Sequence, residues 1–229
     1  MVNAAKILKP SVNGNRITPA EGAELLIKPL SYSRVSLVIK GISPLLCHKW
    51  SDKARKSIRD KQAGKKTKDR ATRDPEAEAN EATYFTASGT PGVPAMAIKS
   101  SIISAAHKDL GIEKTLVRKA IFIDSDDPQV ILPLTYDKWD KCDEQFVRVG
   151  MGSSDIRYRP CFYGWRVALS FIVETNMVQV SDLITLIDRA GQSIGICEWR
   201  PENGGEYGRF VVCQDSPIHE EEIKSFGSR

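Results

Sequence analysis

The chain has 229 residues, of which 41% are hydrophobic and 27% are charged. This length fits one large domain or two small ones, and the apolar content is sufficient for a core, which excludes wholesale disorder. No apolar run reaches the ~18 residues that a membrane span needs, and the first residues lack the apolar stretch of a secretory signal. The five cysteines are scattered without a CxxC pair, which argues against a disulfide framework and a zinc ribbon. The sequence therefore predicts a soluble, cytoplasmic protein that binds neither a membrane nor a metal.

The first predicted elements are an arm and a strand. Residues 1–33 contain several prolines and glycines, which is typical of an N-terminal arm with one short strand over residues 24–28. Residues 34–41 alternate apolar and polar side chains and predict a strand that is ended by Ser43 and Pro44.

Residues 49–73 form a strongly basic block inside an insertion that spans residues 47–92. The block holds eleven Lys or Arg and three Asp, a net charge of +8, so the other 204 residues sum to −4. Such a block either forms a solvated loop without a partner or covers a polyanion. Nucleic acid is favoured because few acids interrupt the block and because it lacks the apolar helical face that a membrane surface requires. The expected nucleic-acid-binding residues here are Lys49, Trp50, Lys53, Arg55, Lys56, Arg59, Lys65, Lys66, Lys68 and Arg70.

The elements after the basic block alternate between strand and helix. The acidic, alanine-rich residues 74–82 fit one or two helical turns or a low-complexity hinge, and residues 83–86 fit a short strand. Residues 93–110 predict the clearest helix, because apolar side chains recur with a 3.6-residue period and Gly111 follows. Beyond it we expect strands at 115–124, 129–134, 145–149, 162–175 and 207–213, and a helix at 181–190 with Ser181 as its cap.

Without the insertions, this order is the βαββαβ plan of the ferredoxin-like and RNA-recognition (RRM) folds. The predicted fold class is α+β: residues 1–229 form a single domain with one antiparallel sheet and two helices on one face. The other face of the sheet is left for a ligand or a partner.

A glycine-rich segment at residues 191–210 lies after a helix and before a strand. A dinucleotide-binding loop has the opposite order, so NAD and ATP are excluded and no cofactor is expected. Glycine allows close backbone approach, while Arg200 and Arg209 are placed to meet phosphates and Trp199 and Tyr207 to meet bases. The alternative is an ordinary loop with a β-bulge.

Two further segments mix cations with aromatic or small residues. Arg157, Arg159 and Arg166 alternate with aromatic residues that include Tyr158, a pattern that suits phosphate contacts and base stacking. The alternative is that the aromatic rings belong to the core and the arginines to an ordinary solvated face. Lys99 lies in the first turns of the helix at 93–110, where it either meets a phosphate or is a plain exposed lysine.

These segments and the end of the first strand resemble the RAMP superfamily, the RNA-binding proteins of CRISPR systems, and above all their repeated backbone subunits. The family's Ser-Pro-Leu pattern after its first strand is similar to residues 42–46, Ile-Ser-Pro-Leu-Leu. Its helix start, Pro-x-Ser-x-(Lys/Arg)-small, resembles residues 94–101, although Met96 and Ala97 stand where the family often has serine. Its Gly-x-Gly-Arg-x-x-Val ending is similar to residues 205–212.

The resemblance implies an RRM-type core with an insertion after the first strand that forms a thumb-like hairpin and clamps a guide RNA. The basic block occupies that place. It also implies head-to-tail self-assembly along single-stranded RNA or DNA, with other CRISPR-type subunits as further partners. A stand-alone viral or mobile-element relative would look the same.

Two other functions stay open beside a non-enzymatic binding protein. A metal-independent or Asp-dependent endoribonuclease of the same superfamily would use His48 as base, or Asp52 or Asp60 as the acid after the first strand. A protein that mimics or caps such a nucleoprotein filament would bind a protein partner instead. No motif of another enzyme class is found in the sequence.

Overall fold

A computed structural model describes residues 12–13, 16–17, 29–50, 52–64, 73–127, 129–149 and 153–224. The predicted strand at 24–28 and the basic residues Lys65, Lys66, Lys68 and Arg70 lie outside these residues. The chain divides into two units, Met1–Leu30 and Ser31–Arg229. In the first unit, strands β1 (Val12–Asn13) and β2 (Arg16–Ile17) pair antiparallel.

The second unit is a mixed α+β structure. Two short turns of helix, Ala190–Ile194 and Pro201–Asn203, follow its last α-helix. Its elements in chain order are β3 (Tyr32–Gly41), β4 (Leu45–Leu46), α1 (Asp52–Gln62), α2 (Pro75–Glu81), β5 (Gly92–Pro94), α3 (Ala95–Leu110), α4 (Lys114–Ala120), β6 (Ile121–Ile123), β7 (Ile131–Thr135), β8 (Lys138–Val149), β9 (Ser153–Tyr163), β10 (Arg166–Glu174), α5 (Val180–Arg189), β11 (Phe210–Val212) and β12 (His219–Ile223).

The main sheet has the strand order of the RRM plan. β3 and β10 lie at its centre, β11 borders β3, and β6 and β7 both border β10, with antiparallel pairing throughout. The second strand of the βαββαβ plan is therefore split, since β6 pairs with the end of β10 and β7 with its start. β12 pairs with β3 beyond β11. The predicted fold class is confirmed.

The core lies between the sheet and helices α3 and α5. In β3 the alternating residues Val35, Leu37 and Ile39 are buried, and they belong to one apolar cluster with side chains of both helices. Full burial of an aliphatic side chain of this size contributes about 1.5–3 kcal/mol. Trp165 is also fully buried and donates its indole N–H to the Ser43 carbonyl at 2.8 Å. Gly41 is required beside it, because a Cβ there would overlap the indole ring.

The opposite face of the sheet is polar at its centre. On this face, every second residue of β3 from 34 to 40 and the partners in β10 are arginine, lysine, serine or the aliphatic residues Val38, Ala168 and Ile172, and none of these is aromatic. RRM modules stack bases on aromatic rings of this surface. In this stretch, the two central strands therefore offer no aromatic ring on which a base could stack.

Two predicted strands have a different structure. Residues 114–120 form α4, although residues 115–124 were predicted as a strand, because Val117 and Ala120 lie one helical turn apart and are both buried. The predicted strand at 162–175 is divided between β9 and β10. Gly164, with a φ of 60°, makes the turn between them.

Three local predictions can also be compared with the structure. Residues 75–81 are helical, with Asp74 accepting hydrogen bonds from the first helical N–H groups, so the helical alternative is confirmed there. The predicted strand at 83–86 is wrong, because only Phe85 makes an isolated bridge, to Pro91. Ser181 does not cap α5; the cap position is Gln179.

The long hairpin of the molecule is β8–β9, not the insertion at 47–92, whose described part forms helices α1 and α2. Strand β8 begins earlier than the predicted strand at 145–149 but ends with it, and α2 packs against the hairpin. At its base, Trp139 stacks on Phe162 with ring centroids 5.5 Å apart. Within the described residues, no helix is long and apolar enough to cross a membrane.

Candidate nucleic-acid interface

A groove of about 660 Å³ lies between α3, α4 and the glycine-rich loop. Its cations are Lys99 on α3, Lys114 and Arg118 on α4, and Arg200 on the loop. We call it the basic groove. It unites two of the segments that the sequence indicated, the start of the first long helix and the glycine-rich loop.

Small residues allow the walls of the groove to approach each other. The buried Ser101 hydroxyl donates to the Ala190 carbonyl at 3.2 Å and so ties α3 to the turn after α5. At Gly191 a Cβ would overlap the Phe210 carbonyl. The start of the glycine-rich loop, directly after α5, therefore lies in close contact with β11. The residues that follow in the loop form the second wall of the groove.

Lys99, Lys114 and Arg118 have no carboxylate partner among the described residues. Lys99 is half-buried and lies over the Phe122 ring at 5.1 Å. Burial lowers the pKa of Lys99, and the neighbouring Arg118 lowers it further. The groove is also lined by one carboxylate, Glu202, which is bonded to Lys108 and Arg200 instead. The three remaining cations repel each other, and a bound anion would relieve that repulsion.

Arg200 is held by internal contacts. Its guanidinium donates twice to Glu202, at 3.0 and 2.7 Å, and once to the Cys197 carbonyl at 3.0 Å. Glu202 also accepts from Lys108 at 2.8 Å and from Ser104 at 2.7 Å. The Lys108 ammonium, together with these other donors, lowers the pKa of Glu202 to about 2. This network fixes the loop against α3.

Trp199 and Tyr207 form an aromatic pair on the same loop. Their rings meet edge to face with centroids 6.0 Å apart. Trp199 keeps 38% of its surface exposed and has a left-handed backbone with a φ of 50°. The loop thus leaves part of the Trp199 indole exposed, directly before the groove-lining Arg200 in sequence, and an exposed indole suits base stacking.

A second cluster lies at the base of the β8–β9 hairpin. Arg159 is only 2% exposed, and its Nε and Nη1 atoms have no hydrogen-bond partner among the described residues. Its Nη2 lies 3.9 Å from Glu198. Burial lowers the pKa of Arg159. The structure therefore places Arg159 in the interior, away from any phosphate at the surface.

His48 lies at the rim of this cluster. Its Nδ1 is 3.4 Å from Glu198, and this hydrogen bond, aided by the charge of Arg159, lowers the pKa of the Glu198 carboxyl. A small pocket of about 170 Å³ is lined by His48, Lys49, Arg157 and neighbouring residues. Glu198 sits between two residues with left-handed backbones, Cys197 and Trp199.

Tyr158 is partly covered by a neighbouring arginine. The Arg73 guanidinium lies 5.7 Å from the Tyr158 ring centroid and forms ion pairs with Glu78 at 2.6 Å and Asp155 at 2.7 Å. One face of the tyrosine ring is thereby taken up by the protein itself. Arg73 is likewise held by its two carboxylates.

The other predicted residues are spread over separate surfaces. Arg166 is exposed on the polar face of the sheet, directly opposite Lys40. Arg209 pairs with the exposed Glu206 at 3.4 Å. Trp50 is 61% exposed. Arg55, Lys56 and Arg59 are exposed on α1, while the side chains of Asp52 and Lys53 lie outside the described part of the chain.

Sequence reasoning missed Lys114 and Arg118. The sequence predicts a strand at 115–124, which contains Arg118 but not Lys114, and so does not indicate that the two cations are neighbours. Residues four positions apart lie on one face of a helix. The four-residue spacing of Lys114 and Arg118 was therefore the available signal that both cations lie on the same face. The described residues contain no group of three His, Cys, Asp or Glu that would hold a metal ion.

Two of the solved structures that are similar to this chain are Cmr proteins. The cryo-EM structure of Type III-B Cmr-beta bound to cognate target RNA aligns with 13% identity and a TM-score of 0.45, over 85% of this chain and 61% of that chain. The crystal structure of Cmr6 from Pyrococcus furiosus aligns with 11% identity and a TM-score of 0.38, over 81% of this chain and 100% of that chain.

Both alignments cover more than four fifths of this chain. The chain spans about three fifths of the length of the first of them. No protein-family model matches the chain, and no curated protein matches it in sequence.

Proposed function

We propose that the protein binds the backbone of single-stranded nucleic acid, RNA above all, in the basic groove. The observation that carries this proposal is the set of three cations, Lys99, Lys114 and Arg118, that face one groove without a carboxylate partner among the described residues. Phosphates supply the missing negative charge, and a strand supplies them at regular intervals.

The expected binding is electrostatic with an aromatic contribution. Three phosphate contacts on a single strand give a slope of about −2 in log affinity against log salt. A base stacked on the exposed face of Trp199 adds about 1–3 kcal/mol without sequence preference. The bound nucleic-acid strand therefore runs along α4 and α3 and passes the loop that carries Trp199.

Assembly along the strand is the finer part of the proposal. Several copies bind head to tail, as the motif resemblance implies, and other CRISPR-type subunits are further partners. Size-exclusion chromatography with light scattering, using RNA of increasing length, measures this directly. Particle mass that grows stepwise with RNA length supports assembly, whereas one copy per strand at every length contradicts it.

Fluorescence anisotropy on protein stripped of nucleic acid in high salt tests the binding itself. Labelled single-stranded RNA and DNA of about 30 nucleotides, enough for several binding sites, are titrated at several salt concentrations. We expect tight binding that weakens as salt rises. No binding to either strand at low salt would overturn the proposal and direct the search to a protein partner, as for a mimic or a filament cap.

A second candidate function rests on the 3.4 Å contact between His48 and Glu198. A carboxylate that orients a histidine is the arrangement of a general base. His48 would take the proton of a ribose 2′-hydroxyl, whose oxygen attacks the adjacent phosphorus. The bond to the 5′-oxygen breaks and that oxygen gains a proton from solvent, so the products are a 2′,3′-cyclic phosphate and a 5′-hydroxyl end.

Denaturing gels separate this activity from binding. If His48 acts as the base, the wild-type protein should give cleavage product. His48→Ala should give none, while its affinity for RNA stays unchanged. His107→Ala is the matched control, because His107 lies in the last turn of α3 and its ring contacts the Ile112 carbonyl instead of a carboxylate. Intact RNA after long incubation with the wild-type protein would exclude the ribonuclease and leave the binding proposal untouched.

A further inference from the structure

Three of the five cysteines converge on one place although they are far apart in sequence. Cys47 follows β4, Cys161 lies in β9 and Cys197 lies in the glycine-rich loop; all five cysteines are free thiols. The Sγ atoms of Cys47 and Cys197 are 3.9 Å apart. A disulfide requires these atoms to come about 2 Å closer.

The backbones on either side of the pair are already adjacent. The Glu198 N–H donates to the Leu46 carbonyl at 3.0 Å, so the peptide groups next to Cys197 and Cys47 are hydrogen-bonded to each other. Cys47 is also anchored, since its N–H donates to the Pro160 carbonyl at 3.1 Å. A local movement of Cys197 and the adjoining loop backbone, rather than a rearrangement of the fold, would join the two sulfurs.

The two thiols differ in access. Cys47 is fully buried, whereas Cys197 is partly exposed and lines the basic groove. The contact with Cys197, burial and the nearby Cys161 and Glu198 raise the pKa of the Cys47 thiol. A reagent in the groove therefore reaches Cys197 first, and Cys47 can react only with the sulfur beside it.

We propose that Cys47 and Cys197 are a site of reversible disulfide formation that fixes the glycine-rich loop to the end of β4. The Cys197 thiolate attacks a low-molecular-weight disulfide such as glutathione disulfide and releases one glutathione. The Cys47 thiolate then attacks the Cys197 sulfur, the protein disulfide forms and the second glutathione leaves. The two protons lost by the cysteines are taken up by the two released thiolates.

The closed bond changes the groove as well as the loop. The Arg200 guanidinium donates to the Cys197 carbonyl, so drawing Cys197 toward Cys47 displaces one wall of the basic groove. We expect the oxidised protein to bind single-stranded RNA about tenfold more weakly, which corresponds to the loss of one phosphate contact. This readout, unlike the formation of the bond, rests on the proposed function.

Peptide mass spectrometry of folded protein, incubated with glutathione disulfide and then alkylated, tests the bond. We expect a peptide that links residues 47 and 197, formed faster at pH 9 than at pH 7 and lost on reduction. We also expect a thermal midpoint raised by about 3 °C or more. Cys197→Ser should lose both effects, whereas Cys142→Ser, a cysteine on the hairpin, should keep them.

The outcomes separate the disulfide from the proposed function. Absence of the 47–197 peptide, or a link through Cys161 instead, overturns the inference whether or not the protein binds RNA. If the peptide forms but neither the thermal midpoint nor the RNA affinity changes, the bond does not fix the loop and the inference also falls. If the bond forms and raises the midpoint while reduced protein binds no RNA, the disulfide site stands and the proposed function falls.

Discussion

The basic groove and the base of the β8–β9 hairpin contain the same residue types but use them differently. In the groove, Lys99 and Arg118 lie close together without an acidic partner among the described residues. At the hairpin, Arg73 is held by two carboxylates and Arg159 is buried beside Glu198. A basic residue is available to a ligand only when the fold has left its charge unmatched, and composition does not show this.

The largest expected effect comes from reversing two charges in the groove. The double variant Lys114→Glu/Arg118→Glu should weaken binding of single-stranded RNA about 100-fold at low salt and reduce the salt slope by about 1–2. Anisotropy across salt concentrations measures both quantities. Lys119→Glu, on the same helix but outside the groove, changes the net charge by half as much and should change affinity by less than about threefold. Equal losses in both variants would mean that net charge, not the groove, governs binding.

Removing the half-buried cation should have a smaller effect on binding. Lys99→Met should lower RNA affinity about tenfold, since one phosphate contact is lost. The same change removes a desolvated charge beside Arg118, so the free energy of unfolding should stay constant or rise by up to about 1 kcal/mol. Urea denaturation alongside anisotropy checks the two expectations. Loss of stability together with affinity would show that Lys99 supports the fold instead.

The network that holds Arg200 should respond to pH. Because the pKa of Glu202 is about 2 in the folded protein against an ordinary value of 4.5, its stabilising contribution is fully present above about pH 4.5 and is lost as the pH falls toward 2. Glu202→Gln should therefore be less stable than wild type at pH 6, and the difference should shrink between pH 5 and pH 2. Thermal unfolding across this range measures it. A difference that does not depend on pH would contradict the network.

The smallest expected effect lies at the hairpin. Arg159→Met should leave RNA affinity within about twofold of wild type, because this side chain does not reach the surface. Replacing a buried, incompletely paired charge by an apolar side chain of similar size is often neutral or stabilising, so unfolding should not become easier. A fivefold or larger loss of RNA affinity in a folded Arg159→Met variant would show that the RNA binds at the hairpin.

The sequence predicted the architecture better than the site. The alternation in residues 34–41 and the helical period in residues 93–110 are strong local signals, because each element buries one continuous apolar face. Residues 114–120 carry only two buried side chains, so their pattern did not separate helix from strand. The sequence did not predict the full length of the β8–β9 hairpin for a similar reason, because charged residues interrupt the apolar positions of its strands.

Part of the site was predictable because it depends on neighbouring residues in sequence. Lys99 and the glycine-rich loop were recognised from local motifs, and the structure brings them to one groove. Which arginines are internally paired was not predictable, because their partners are distant in sequence: Arg159 meets Glu198, and Arg73 meets Asp155. The same reason explains why the Cys47–Cys197 contact was missed.

Photo-crosslinking tests the central claim most directly. RNA that contains 4-thiouridine is irradiated with the wild-type protein, and the attached peptides are identified by mass spectrometry. The claim predicts crosslinks concentrated in the residues that line the basic groove, on α3, α4 and the loop around Trp199. Crosslinks confined to the β8–β9 hairpin or to α1, with none on the groove, would contradict it.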